Sequence, residues 1–96
     1  SGLGIWVMSE RSFTLDIVTP EQLVLSEDVV SLTVPGVEGY LGILAGHAPL
    51  MAELRSGVIE ARRSDRTRVA MQIGGGFMEV SHNRAIVLAD SAEPIA

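Results

Sequence analysis

The sequence predicts an all-β domain, and three observations carry that expectation. Apolar residues alternate with polar ones over short runs, which is the period of a half-buried strand. Turn-forming clusters interrupt those runs at short, regular intervals, and no segment reads as a helix. The stretch Val34-Pro-Gly-Val-Glu-Gly-Tyr-Leu-Gly-Ile-Leu-Ala-Gly-His-Ala-Pro-Leu50 holds four glycines and two prolines in seventeen residues. Against alanine, each interior glycine costs a helix about 1 kcal/mol and each proline about 3 kcal/mol. Such a stretch is a string of tight turns between very short strands, built for shape rather than for chemistry.

Taken in order, Phe13-Thr14-Leu15-Asp16-Ile17 alternates strictly, and Thr19-Pro20-Glu21 ends it with turn chemistry. Leu23-Val24-Leu25 is a second strand, stopped by Ser26-Glu27-Asp28. Val30, Leu32 and Val34 share one face of a third, which runs up to Pro35. Beyond the glycine-rich stretch, Leu50 to Leu54 alternates again and ends near Ser56-Gly57. Val58 to Ala61 and Thr67 to Ile73 flank Arg62-Arg63-Ser64-Asp65-Arg66, the pattern of a hairpin. After Gly74-Gly75-Gly76 come Phe77 to Val80, a turn at Ser81-His82-Asn83-Arg84, and a last strand from Ala85 to Ala89. Eight to ten short strands at this spacing predict a β-sandwich or barrel.

At 96 residues the chain is one domain, large enough for folding to bury something over roughly 60 % of its extended surface. Hydrophobic residues make up 47 % of it, which argues against disorder. With no cysteine there is no disulfide, no thiolate chemistry and no Cys-type zinc site, and an intracellular setting is favoured. All seven basic residues are arginine. Without lysine the chain has neither a Walker-type phosphate loop nor a Schiff base. The net charge of -5 argues against nucleic acid or anionic lipid as a partner. No apolar run approaches the ~20 residues that cross a bilayer. Residues 1–8 fit no periodic pattern and are read as an extension or expression remnant, residues 13–93 as the sandwich domain, and 94–96 as a truncated tail.

No active site can be assembled, and no cofactor or metal is expected. The two histidines, His47 and His82, both lie in turns, where a histidine bonds the local backbone or is simply solvated. Neither has carboxylates at metal-ligand spacing. Gly74-Gly75-Gly76 is followed by a strand rather than the helix that a phosphate cradle needs, so a β-bulge or close backbone approach is the better reading. Arg62, Arg63, Arg66 and Arg68 have Glu60 and Asp65 beside them and no interleaved aromatics, the signature of a solvated hairpin tip. Asp16 and Asp90 as an acid–base pair is a weaker idea still.

The glycine-rich stretch resembles the hallmark of the epsilon subunit of F-type ATP synthases, called delta in mitochondria. Three further segments are similar in order and spacing: Leu15 to Glu21, Gly75 to Val80, and Val87 to Glu93. The resemblance covers Phe13 to Glu93. It implies a ten-stranded β-sandwich, or flattened barrel, and a non-catalytic place in the rotary central stalk. There the domain would clamp the gamma subunit and rest on the c-ring, at the cytoplasmic face of the membrane or its organellar equivalent. It would help couple proton or sodium-ion flow to ATP synthesis in other subunits. Carried over by position, Thr19, His47, Ala52 and Phe77 are the candidate gamma contacts, all on one side. Glu38, Tyr40 and Leu41 are the candidate c-ring contacts. Tyr40 stands where the family often has an acidic or small residue, and Ala45 replaces a usual proline. Nothing after Glu93 forms the family's C-terminal helical hairpin, so neither inhibition nor nucleotide binding is expected. An isolated domain with such a face uncovered can also pair with a second copy.

Two other readings compete. A free-standing sandwich module for a ligand or another protein would want a concave site with exposed aromatics, and the chain offers only Trp6, Phe13, Tyr40 and Phe77. A small hydrolase would want the nucleophile and base that are missing.

Overall fold

The computed structural model describes residues 11–95, and every regular element in that range is a strand. The reading of residues 1–8 as an extension lies outside the described residues. The strands are β1 (Phe13–Val18), β2 (Leu23–Val29), β3 (Ser31–Gly36), β4 (Gly39–Leu44), β5 (Leu50–Arg62), β6 (Arg68–Ser81), β7 (Arg84–Ala89) and β8 (Ala92–Pro94). They hydrogen-bond in the order β2-β1-β7-β6-β5-β3-β4, with β8 on β6. Only β1 and β7 are parallel.

The expected ten strands are therefore eight, and the sheet is open rather than closed into a barrel. The reason lies in β5 and β6. Each was expected as two strands, broken at Ser56-Gly57 and at the triple glycine. Each is instead a single strand, of 13 and 14 residues. Their pairing holds one register from Leu50↔Val80 to Arg62↔Arg68. What changes is which side faces in. At one end Leu50, Ala52 and Leu54 of β5 and Met78 and Val80 of β6 turn to the core. At the other it is Ile59 and Ala61 of β5 and Met71 and Ile73 of β6. Inward residues thus switch from even to odd in both strands at the same place, and the pair serves one layer with each end.

The switch falls at Ser56-Gly57 against Gly74-Gly75-Gly76, where small residues let the backbones close up. A Cβ on Gly57 would lie 2.9 Å from Pro35 Cβ, and one on Gly76 2.0 Å from the carbonyl oxygen of Leu88. Ser56 Oγ donates to the Ile73 carbonyl at 3.2 Å. Past this corner β7 and β8 follow β6 in succession, joined where Asp90 N–H donates to Gly75 O and Gly74 N–H to Ser91 O. The chain thus continues as strand through Ala92–Pro94.

One layer is β2-β1-β7 with the Leu50 end of β5 and the Gly76–Ser81 part of β6. The other is β4-β3 with the far ends of β5 and β6, and β8. Phe13, Leu15 and Ile17 from the first pack in one core with Leu32, Val34 and Ile43 from the second. This is the alternation of in and out that a sandwich demands.

Candidate functional site

The first layer carries on its outer surface a row of apolar residues that face water. Register lines them up: Glu53 lies opposite Phe77, Phe77 opposite Leu88, Leu88 opposite Val18, and Val18 opposite Leu23. Phe77 is 51 % exposed, Leu88 56 % and Leu23 59 %, while Val18 is half-buried between them. Met51, 71 % exposed, extends the patch diagonally from β5. The next row on the same face is mostly polar, with Ile86 half-buried between Glu79 and Asp16. Asp16 accepts from Ser26 Oγ at 2.6 Å and pairs with Arg84 at 3.1 Å, and Glu79 lies opposite Met51. The face is therefore an apolar stripe with a polar margin, which is how docking surfaces are built.

Of the candidate residues, Phe77 sits in the centre of this row. Thr19 closes the turn at its edge. It is buried, its N–H donates to Gln22 O at 2.9 Å, and with Val18, Pro20 and Leu88 it lines a shallow depression. His47 stands at the opposite end of the layer, in the loop after β4. Its Nδ1 is 2.6 Å from the Ala48 carbonyl, the local backbone contact expected of a turn histidine. That loop is fastened by Asn83, whose Oδ1 accepts from Gly46 N–H and whose Nδ2 donates to Ser12 O, both at 2.9 Å. Ala52 points inward against the core, on the other side of its strand from Glu53 and Phe77. The four residues expected on one side thus fall in three places.

The second candidate group comes together at the β3–β4 hairpin. Glu38, Tyr40 and Leu41 line one cleft at its tip, together with Ala52 and Glu53. Val37 and Tyr40 are about half exposed, and the Arg55 guanidinium stands 5.2 Å over the Tyr40 ring. Val37 N–H donates to Glu53 O at 3.0 Å and ties the tip to β5. Gly39, at φ 136°, adopts a backbone conformation that other residues resist.

At the arginine-rich hairpin tip two carboxylates are held low. A bidentate contact from Arg63 holds Glu27 below the usual carboxylate range, and Glu27 raises Arg63 in turn. Asp65 is lowered chiefly by the Thr67 hydroxyl and amide. Arg68 pairs with Glu60 at 2.6 Å, so the arginine-rich hairpin tip is largely self-neutralised. Among the described residues no three of His, Cys, Asp or Glu gather as metal ligands. Asp16 and Asp90 do not form a pair. Asp16 is bound by Ser26 and Arg84, while Asp90 flanks Gly75 at the corner.

Residues 12–95 match the family described as ATP synthase, Delta/Epsilon chain, beta-sandwich domain. The ATP synthase epsilon chain of Chlorobaculum tepidum is 49 % identical over 82 residues, covering 85 % of this chain and 93 % of that one. The epsilon chain of Moorella thermoacetica is 44 % identical over 82 residues, covering 85 % of this chain but 61 % of its own length. A chain of the Euglena gracilis mitochondrial ATP synthase (OSCP/F1/c-ring, rotational state 1) superposes with a TM-score of 0.83 at 26 % identity, over 86 % of this chain and 53 % of that one. The central stalk and c-ring structure of the Tetrahymena thermophila enzyme shares the fold, at a TM-score of 0.74 and 16 % identity, over 88 % of this chain and 68 % of that one. This chain belongs to the ATP synthase delta/epsilon family, of which it carries the β-sandwich domain.

Proposed function

We propose that this chain is a non-catalytic subunit of the central stalk of an F-type ATP synthase. It docks the gamma subunit with the outer face of its first layer and meets the c-ring with the β3–β4 hairpin. It works as a peripheral subunit on the cytoplasmic side, or its organellar equivalent, and couples proton or sodium-ion movement to ATP synthesis performed elsewhere in the complex. The observation that carries the reading is the exposed row Leu23, Val18, Leu88 and Phe77 in a chain whose relatives are ATP synthase epsilon chains. A rotor subunit must transmit torque without slipping. A flat apolar face on a rigid sheet suits that, because it buries area with little side-chain ordering.

In this reading Phe77 and Leu88 are the central anchors, Thr19 keeps the turn beside them in shape, His47 contributes from the far end of the layer, and Ala52 supports the face from the core side. Glu38, Tyr40 and Leu41 present the hairpin tip to the ring. Native mass spectrometry of this chain with the cognate gamma subunit tests the reading. A one-to-one complex is expected, joined by the ring when it is added. The reading fails if no complex forms with gamma, or if the c-ring binds equally well after Tyr40→Ala and Glu38→Ala together.

A further inference from the structure

Among the described residues three whole strands, β2, β8 and β4, have a neighbour on one side only, and the sequence guards two of them. β2 carries Glu27 and Asp28 and pairs irregularly with β1 at Ile17/Val18. β8 is three residues long and contains Glu93 and Pro94. These are the usual protections against pairing with another chain. The third edge, β4, reads Gly-Tyr-Leu-Gly-Ile-Leu. It has no charge, no proline and no bulge, and its Leu44 and Tyr40 are 64 % and 57 % exposed. We propose that β4 is a homodimerisation edge, on which two copies of this chain pair antiparallel about a two-fold axis through Gly42.

The backbone supplies the geometry. Gly36 and Gly39 close a two-residue turn, so they form a hydrogen-bonded pair and the ladder alternates from there. Gly39, Leu41 and Ile43 therefore bond to β3, and the N–H and C=O groups of Tyr40, Gly42 and Leu44 point away from the sheet. In an antiparallel pair opposite residues must lie on the same face. An axis at Gly42 satisfies this: Gly42 meets Gly42, and Tyr40 meets Leu44 of the second copy. All three outward residues then exchange both bonds. Leu44 O already accepts from His47 N–H at 3.2 Å, but a carbonyl has a second lone pair.

Side chains agree with the same axis. Each Tyr40–Leu44 contact is an aromatic–aliphatic cross-strand pair on the outer face and covers residues otherwise left in water. Glycine at the axis keeps the centre open, and no like charges stand opposite within the paired stretch. This complementarity of β4 with itself selects a second copy over an unrelated extended peptide. Since Tyr40 and Leu41 lie in β4, dimerisation would also compete with the ring contact; that consequence, unlike the pairing itself, rests on the docking reading above.

Light scattering across a concentration series, up to hundreds of micromolar, tests the pairing on the chain alone. The parent should move from 10.2 kDa towards twice that mass. A Cβ at Gly42 meets nothing within 4 Å, so Gly42→Lys should fold with an unchanged circular dichroism spectrum yet remain monomeric. Leu88→Ser, on the far layer, should dimerise like the parent. A parent that stays monomeric, a dimer that survives Gly42→Lys, or one lost in Leu88→Ser overturns the proposal. Should Gly42→Lys not fold, Gly42→Cys decides. Facing Cα atoms in such a pair are ~5.5 Å apart, within disulfide reach, and the sequence has no other cysteine. Mild oxidation should give a covalent dimer with a native spectrum, and its absence overturns the proposal too.

Discussion

Gly76 shows how much a single residue decides in this fold. Its φ of 146° lies where side chains are strained, and a Cβ there would sit 2.0 Å from the backbone oxygen of Leu88. Neither obstacle yields to a rotamer change, so Gly76→Ala should cost more than about 2 kcal/mol in chemical denaturation. Gly74 is two residues away, and a Cβ there would press only on the Ser91 hydroxyl, at 2.5 Å. That hydroxyl belongs to an exposed side chain and can swing aside, so Gly74→Ala should cost less than about 1 kcal/mol. Equal effects would mean that the corner is not set by the close approach of β7. In the core, Ile73 is fully buried and lies against that corner. Ile73→Ala should cost about 2–5 kcal/mol, since it leaves a cavity as well as losing burial.

Among the elements, the β5–β6 hairpin is fixed at its tip by charge rather than by burial. Arg63 leaves the end of β5 and grips Glu27 on β2, joining the two layers across the mouth of the sandwich. Because Glu27 is lowered in the folded state, its contribution is complete above the ordinary glutamate value of 4.5 and is lost as pH falls through the folded value below it. Glu27→Gln should therefore unfold at lower denaturant than the parent at pH 7, and the gap should close as both are acidified below that value. A gap independent of pH would mean that the side chain acts through packing alone. Most strands were legible because alternation is local: β1, β3 and β7 fall within a residue or two of their expected spans. The missed feature was continuity. Ser56-Gly57 and the triple glycine read as breaks because inward parity switches there. Only the pairing of the two strands reveals that both switch together and run on. The strand β8 was missed for a similar reason, since Ala92-Glu93-Pro94 has no alternation of its own and owes its form to β6.

On the scale of the whole molecule, the docking face was only partly visible in the sequence. Phe77 could be named from the family motif, and β7 carried a further signal: Ala85, Val87 and Ala89 are buried, yet the intervening Ile86 and Leu88 are also apolar. A strand apolar on both faces has a second surface to cover. Val18 and Leu23 gave no such hint, because only the order β2-β1-β7-β6 brings them into line with Phe77 and Leu88. The arrangement separates stability from binding. Phe77 and Leu88 are each more than half exposed, so their removal takes little from the core beyond a cross-strand pair worth about 0.2–1 kcal/mol. A buried anchor at an interface, by contrast, is worth over ~1 kcal/mol when truncated. The double substitution of Phe77→Ser with Leu88→Ser should thus leave the unfolding free energy within about 1 kcal/mol of the parent. It should weaken gamma binding, read by titration calorimetry, at least tenfold, which corresponds to ~1.4 kcal/mol. His47→Ala, at the far end of the layer, should weaken it less. If the double variant bound gamma like the parent, the docking face would have to be sought on the second layer, around Tyr40 and Leu44.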